Sequence, residues 1–393
     1  MTPSARVQAA IDLLDEIIVA ARDGGAAADT LIARYFKTRR YAGSKDRRAI
    51  RDLLYRAIRR SGERPASGRA AMAGLASEDA ELAVLFDGSP HGPAPILAGE
   101  AIAGASLVPG WIIPHLSGHI DETEQRALLE RAPLDLRLNR LKADRDAMLA
   151  AFPEAQTMAA MPDALRLPEG TPVEQSAAYR DGLVEIQDIG SQVIAMACAV
   201  QPGMAVMDLC AGAGGKTLAL ASLMGGEGRL FAADVNRDRL ARLPERAQRS
   251  GAAFIQPLLL DPGKESAALT PYAGAMDVVL VDAPCSGTGT WRRNPEARWR
   301  LTGQRLARIC AEQAHILDFA APLVKAGGRL VYAVCSLTED EGRAQVDAFL
   351  TRHAGWRVEH PDLPLGREHG CGRLLTPAHD GTDGFFIATL LRS

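Results

Sequence analysis

The sequence predicts an α/β fold: a mostly parallel, doubly wound, Rossmann-like sheet, joined through a small α+β connector to an all-α N-terminal domain. Three observations carry that prediction. From Met204 onward, short apolar, β-branched runs alternate with helical stretches, as a parallel sheet requires. Before Pro133 the apolar residues recur at helical spacing. Between these regions, short alternating strand patterns surround one helix. The expected boundaries are 1–131 for the helical domain, 132–182 for the connector and 183–393 for the α/β domain.

A chain of 393 residues is long enough for two or three domains, each with an adequate core. Its 24% charged and 47% apolar composition is ordinary for a globular protein. No apolar stretch approaches bilayer-spanning length, and the N-terminus, with Asp12, Asp15 and Glu16, lacks a signal-peptide pattern. A cytoplasmic protein with no membrane partner is therefore expected. Six scattered cysteines (Cys198, Cys210, Cys285, Cys310, Cys335 and Cys371) show no paired spacing, which argues against a disulfide framework or a metal site. The net charge of −3 conceals a local excess, because eleven Lys or Arg between Arg34 and Arg60 face two acids, Asp46 and Asp52. Screening makes local charge decide polyanion binding, so this region reads as an RNA-binding surface.

The elements follow in order. Val7, Ile11, Leu14, Ile17, Ile18 and Ala21 predict a helix over 4–22 that stops near Gly24-Gly25. A second runs from Thr30 to about Lys37. Ser44 is expected to cap a third, with Ile50, Leu53, Leu54, Ala57 and Ile58 inside and Arg47, Arg48, Arg51 and Arg59 largely outside. Short helical pieces at 67–75 and 78–86 precede a helical stretch from Val108 to about Arg131. Leu134 to Leu141 alternates as a strand, a helix spans Asp144 to Phe152, and Gln192 starts the helix leading into the α/β domain.

The first strand of that domain, Ala205 to Leu209, ends in Cys210-Ala-Gly212-Ala-Gly214-Gly215-Lys216-Thr217. A phosphate-binding P-loop needs glycine where Cys210 stands, which argues against an NTPase. A dinucleotide or adenosyl-cofactor loop needs glycines for close backbone approach and an acid about 20 residues on for ribose hydroxyls. Asp234, ending the second strand, meets that need, and Asp261 ends the third, where it could meet an adenine amino group. Three strands ending in acids (Asp208, Asp234 and Asp261) fit a neutral adenosine with a cationic sulfonium better than a pyrophosphate.

The fourth strand, Val278 to Val281, is a continuous apolar run that stops on Asp282-Ala-Pro284-Cys285-Ser-Gly287-Thr-Gly289. The fifth delivers Cys335 to its own carboxyl end. Neighbouring strand ends would set Cys285 and Cys335 on one rim, where open α/β sheets bind ligands. Cys198 and Cys310, in helical stretches, read as inert core residues.

Gln187-Asp188, the Cys210–Lys216 loop, Asp282-Ala-Pro-Cys285-Ser-Gly-Thr-Gly, Arg292-Arg-Asn-Pro295-Glu296, Cys335-Ser-Leu and Asp380-Gly-Thr-Asp383-Gly384-Phe385-Phe386-Ile-Ala resemble the RsmB/Sun family of RNA cytosine-5 methyltransferases. The resemblance runs from about Leu134 to the C-terminus. The helical domain, with Trp111 after Pro109-Gly110, is similar to the NusB-like RNA-binding domain of bacterial members. The resemblance implies a class I methyltransferase core, S-adenosylmethionine as cofactor and 5-methylcytosine as product. It implies RNA as the partner (ribosomal RNA first, tRNA next), with no protein partner expected. Within it, Cys335 is the nucleophile, Cys285 the release cysteine and Asp282 the general acid. The implied cofactor contacts are Cys210, Ala211, Gly212, Ala213, Gly214, Gly215, Lys216, Asp234, Arg239, Asp261 and Asp282.

The chemistry accounts for these residue types independently. Carbon 5 of cytosine is a poor nucleophile until a thiolate adds to carbon 6, and cysteine both attacks well and leaves again. A carboxyl group beside ring N3 can protonate it during addition, and a second thiol can assist release. Chemistry alone leaves the two cysteines interchangeable, because DNA cytosine-5 methyltransferases use a Pro-Cys nucleophile. Lys216 reads as a cofactor or RNA-phosphate contact, and Arg292 and Arg293 as holders of substrate backbone around a flipped base. Val334 stands where the family usually has threonine, with an expected local effect on hydrogen bonding near the thiol. The alternative from another class is an RNA-binding ribosome-assembly factor with a vestigial methyltransferase fold; the intact cysteines and acids argue against it.

Overall fold

The computed structural model describes residues 1–393, in two units: Met1–Glu130 with Thr290–Leu306, and Arg131–Gly289 with Ala307–Ser393. The first is helical. Helix α1 (Pro3–Asp23) begins where Thr2 Oγ1 accepts the Ala5 N–H at 3.2 Å and ends on Gly24, whose φ of 74° suits only a residue without a Cβ. Helices α2 (Ala28–Thr38), α3 (Ser44–Arg60) and α4 (Gly68–Ala76) pack around it. Ser44 lies inside α3 and does not cap it. Gly43 takes the cap position, and the Asp46 carboxylate, held by Arg6 at 2.8 Å, accepts the Gly43 N–H. The helical stretch expected after Val108 contracts to a 3₁₀ turn (Gly110–His115) and a short helix (Glu122–Ala127), separated by extended and turn residues. Pro114, lacking an N–H, gives a longer helix no ladder bond there.

The core of this unit combines Leu13, Leu14, Ile17, Ile32, Ile50, Leu54 and Ile58 with Trp299, which is 2% exposed. Trp299 comes from the Thr290–Leu306 segment, which the sequence placed inside the α/β domain. Its indole Nε1 donates to Ser61 O at 2.8 Å. Arg298, buried beside it, donates to Ile58 O at 2.7 Å and Arg59 O at 3.4 Å in the last turn of α3, and to Leu107 O. Burial lowers its pKa to about 9, against which the helix C-terminus favours a cation. Glu296 accepts the Ala28 N–H at 3.1 Å, capping α2 from this segment. Arg292 is buried within the same stretch and Arg293 is exposed, so of the two arginines expected to hold RNA only Arg293 reaches the surface.

In the second unit, β1 (Leu134–Leu138), β2 (Gln156–Met158), β3 (Met161–Leu167) and β4 (Val184–Ile186) form an antiparallel sheet in the order β2-β3-β1-β4. The sheet extends past residue 182, through β4, and is joined to the α/β core. Asn139 Nδ2 donates to both Gly182 O and Ser250 O at 2.8 Å, and the Arg140 N–H donates to Ser222 Oγ at 2.9 Å. The helix that follows begins at Ile189, capped by Asp188, three residues before the expected Gln192.

Five parallel strands make the main sheet: β5 (Ala205–Asp208), β6 (Arg229–Asp234), β7 (Ile255–Leu259), β8 (Met276–Asp282) and β9 (Val324–Val334). Their order is β9-β8-β5-β6-β7. Strand order reverses between β5 and β8, which opens a crevice at their carboxyl ends. Beyond β9 the sheet turns antiparallel through β13 (Phe385–Arg392), flanked by β10 (Trp356–Glu359), β12 (Gly372–Leu375) and β11 (Arg367–His369). Val278, Val279, Leu280 and Val281 are all fully buried, as a strand covered on both faces must be. No helix is long and apolar enough to cross a membrane.

Trp299→Ala is expected to destabilise the helical unit by about 3–5 kcal/mol, the usual cost of emptying a large buried aromatic site. Urea unfolding followed by helical circular dichroism checks this, and an unshifted midpoint would mean that the 290–306 segment is not part of that core.

Candidate active site

Strands β8 and β9 run in parallel with Asp282 opposite Ala333, so the residues that follow each strand emerge side by side. Cys285 Sγ and Cys335 Sγ lie 3.1 Å apart. The hydrogen bond to Cys335, followed by burial, raises the Cys285 pKa well above that of an ordinary thiol. Cys285 therefore holds its proton more tightly than an ordinary thiol. Val334, next to Cys335, is fully buried and pairs with Phe386 of β13.

Lys216 Nζ donates to Asp282 Oδ2 at 2.7 Å. Burial works against the ammonium charge, but the adjacent Asp282 carboxylate outweighs it and the Lys216 pKa is raised. The lysine is 14% exposed and directed at Asp282. The hydrogen bond sets a proton donor directly against the Asp282 carboxylate.

Behind the thiols lies a polar cluster that sequence reasoning missed. Glu341, fully buried, accepts the Ser286 N–H at 2.7 Å and Gln313 Nε2 at 3.1 Å on one oxygen. Its other oxygen accepts Ser336 Oγ at 2.6 Å and Thr338 Oγ1 at 3.0 Å. Gln313 also donates to Pro284 O at 2.9 Å, and Thr288 Oγ1 accepts the Leu337 N–H at 2.8 Å. In the sequence Glu341 closes the run Glu339-Asp340-Glu341, which has the look of a solvated charge cluster. Only the fold turns its third member inward.

The closing Asp383-Gly384 meets both other motifs. The Asp383 N–H donates to Asp188 Oδ2 at 3.1 Å, and the Gly384 N–H to Gly289 O at 2.8 Å. A Cβ on Gly289 would lie 2.0 Å from Gly384 O, so this approach requires glycine. The Gly289 N–H in turn donates to Cys335 O at 3.0 Å, tying the loop after β8 to the end of β9.

The glycine loop closes the other side of the crevice. Gly212 and Gly214 take positive φ, 56° and 86°, and the Gly214 N–H donates back to Ala211 O at 2.8 Å before the Gly215–Leu223 helix begins. Asp234 Oδ2 accepts the Gly212 N–H and Oδ1 the Asn236 N–H, each at 2.6 Å. A carboxylate has about four acceptor positions, so Asp234 can bind the loop and still accept from ribose hydroxyls. Arg239 is exposed and covers Gly212, close enough that a Cβ there would touch its guanidinium. Asp261 is exposed two residues beyond β7, Cys210 is half-buried, and Ala213 gives its carbonyl to Arg246 Nη1 at 2.6 Å. Asp208 lies beneath the loop, fully buried, with Thr217 Oγ1 donating to Oδ2 at 2.6 Å and Oδ1 without a partner. Burial pushes its pKa up to about 7.

These residues fit an adenosyl cofactor. An added Cβ on Gly215 would meet nothing within 4 Å, so the loop faces open space where a ligand can approach its backbone. Asp261 is exposed and Asp282 part-exposed, so both carboxylates can offer acceptors to a neutral nucleoside or a cationic sulfonium.

The family described as 16S rRNA methyltransferase RsmB/F matches residues 195–391 of this chain. A Synechocystis protein named probable ribosomal RNA small subunit methyltransferase B is 35% identical over 302 residues, covering 72% of this chain and 67% of its own. The ribosomal RNA small subunit methyltransferase B of Salmonella typhi is 33% identical over 298 residues, covering 73% and 66% respectively. The match thus spans about two thirds of the length of these relatives. Among solved structures, PH0851 aligns over 99% of both chains with a TM-score of 0.77 and 23% identity. NSun6 from Pyrococcus horikoshii, solved with SFG, aligns over 69% of this chain and 93% of its own, with a TM-score of 0.62 and 18% identity. At these identities the two structures bear on the fold alone.

Gly215→Val is expected to leave thermal stability unchanged while weakening S-adenosylmethionine binding at least about tenfold, a loss of ~1.4 kcal/mol. Calorimetric titration checks this, and unchanged affinity would place the cofactor elsewhere.

Proposed function

The chain belongs to the RsmB/F methyltransferase family, and on that premise we propose that it methylates carbon 5 of a cytosine in ribosomal RNA through a covalent cysteine adduct. S-adenosylmethionine is the methyl donor and supplies an electrophilic methyl on a cationic sulfur. The observation that carries the cysteine chemistry is the 3.1 Å approach of Cys285 to Cys335, beside the Asp282–Lys216 pair. The names of the Synechocystis and Salmonella relatives, which refer to the small ribosomal subunit, support ribosomal RNA as the substrate class.

The roles follow from the site. Cys335 Sγ adds to carbon 6 of a base swung into the crevice, and Asp282 protonates ring N3 with the proton it shares with Lys216. Negative charge that would otherwise build on the ring is drained, and carbon 5 becomes nucleophilic enough to take the methyl. Asp282 then takes back the ring N3 proton, and carbon 5 gives up its own proton to water. The electron pair left behind restores the carbon 5–carbon 6 double bond, and the bond from Sγ to carbon 6 breaks so that Cys335 leaves as thiolate. Cys285, kept as a thiol and 3.1 Å away, hydrogen-bonds the departing sulfur. The raised pKa of Cys285 suits a thiol that keeps its proton for release, and the family resemblance implies Cys335 for attack.

The helical unit is proposed to hold RNA. Arg51, Arg56 and Arg60 are paired with Asp29, Asp79 and Glu78, which removes part of the basic excess along α3. Lys37, Arg40, Lys45 and Arg48 stand exposed outside these pairs, around the turn between α2 and α3, with Tyr41 71% exposed among them. Cations in this arrangement suit phosphates, and an exposed ring suits an unpaired base.

Two outcomes check these roles. On a denaturing gel of protein incubated with ribosomal RNA and S-adenosylmethionine, Cys285→Ala is expected to accumulate a covalent protein–RNA band that Cys335→Ala lacks. The reverse pattern would exchange the roles, and no adduct with no methyl transfer from any form would favour an RNA-binding assembly factor. Replacing Lys37, Arg40, Lys45 and Arg48 together by alanine is expected to flatten the log–log salt dependence of RNA binding by about 3, near 0.7–0.9 per lost phosphate contact. An unchanged slope would move the RNA to another face.

A further inference from the structure

We propose that Glu341 is a positioning residue that couples the two cysteine loops, holding Cys285 beside Cys335 for the release step. The proposal rests on the cysteine roles assigned above and adds a residue that those roles do not name.

The geometry is that of a bracket. One oxygen of Glu341 holds the loop after β8, directly through the Ser286 N–H at 2.7 Å and indirectly through Gln313 Nε2 at 3.1 Å. Gln313 donates also to Pro284 O at 2.9 Å, so the backbone is gripped on both sides of Cys285. The other oxygen holds the end of β9 through Ser336 Oγ at 2.6 Å, next to Cys335, and through Thr338 Oγ1 at 3.0 Å. Tyr332 Oη donates to Glu341 O at 2.7 Å and fixes the backbone of the bracket itself. A fully buried carboxylate is costly to keep in a fold, even with four donors and above all when none of them is a cation. An apolar residue would pack the site at lower cost, but only a forked acceptor can hold both loops at once.

Attack and release make different demands on this bracket. Of the two thiols, addition to carbon 6 needs only Cys335, positioned by β9. Release needs Cys285 within hydrogen-bond reach of the departing sulfur, and that reach depends on the spacing of the two loops. Loosening the bracket should slow release more than attack. Glu341→Gln keeps the fork, because the hydroxyls of Ser336 and Thr338 can rotate to accept from an amide while its carbonyl still accepts from the Ser286 N–H. Glu341→Ala removes the bracket.

The test compares wild type, Cys285→Ala, Glu341→Ala, Glu341→Gln and Gln313→Leu with ribosomal RNA and S-adenosylmethionine. The readouts are the single-turnover methyl burst, steady-state turnover, the covalent band and cofactor affinity. Glu341→Ala is expected to keep the burst and cofactor affinity, lose at least tenfold in turnover and accumulate the band that Cys285→Ala shows. Glu341→Gln is expected to recover most of the turnover. Gln313→Leu is expected to shift in the same direction as Glu341→Ala by a smaller amount, and it decides the matter if Glu341→Ala does not fold. If Cys285→Ala traps RNA but Glu341→Ala and Gln313→Leu release normally, or lose burst, turnover and cofactor binding in proportion, the bracket is overturned and the cysteine roles stand. If Cys285→Ala traps nothing, the cysteine roles fail and the bracket fails with them.

Discussion

Parallel pairing of β8 with β9 is the constraint on which the site depends. With Asp282 opposite Ala333, two separate stretches of chain deliver an acid and two thiols to one rim. Parallel strands cannot be joined by a tight turn, so residues between them are free to do other work. Here the crossover carries both the 290–306 segment, which packs into the helical unit, and Gln313, which returns to grip Pro284 O.

Stability and reactivity are divided along that axis. The buried run Val278–Val281 supplies apolar burial, with each such side chain contributing about 1.5–3 kcal/mol relative to exposure. That rigid strand allows polar groups at its end to be held away from bulk water. Lys216 and Asp282 compensate each other, Asp208 sits under the loop with its pKa pushed up to about 7, and Glu341 is satisfied by four donors. Each would be expensive alone in a low-dielectric interior.

The sheet was legible in the sequence because its signals are local. Apolar runs of strand length, glycines at a strand-to-helix turn and acids at strand ends can each be read within about ten residues. The pairing of Cys285 with Cys335 was legible for a similar reason, since adjacent parallel strands end on the same rim. What could not be read depends on long-range closure. Trp299 and Arg298 look like part of the α/β chain, and nothing near them tells that their partners are Ser61, Ile58 and Leu107. Glu341 is hidden among acids that face solvent. Lys216 read as a cofactor or RNA contact, and nothing near it tells that its partner is Asp282, 66 residues away. The Ser44 cap failed for a local reason, because Asp46 offers the cap a carboxylate already held by Arg6.

The central claim, attack at carbon 6 and methylation at carbon 5, is tested most directly by following the hydrogen that the methyl replaces. Ribosomal RNA carrying tritium on carbon 5 of its cytosines would be incubated with the protein and S-adenosylmethionine, scoring methyl incorporation and tritium release together. The account predicts one tritium released for each methyl gained, and neither event with Cys335→Ala. Methyl incorporation without tritium release would place the methyl on another atom and contradict it.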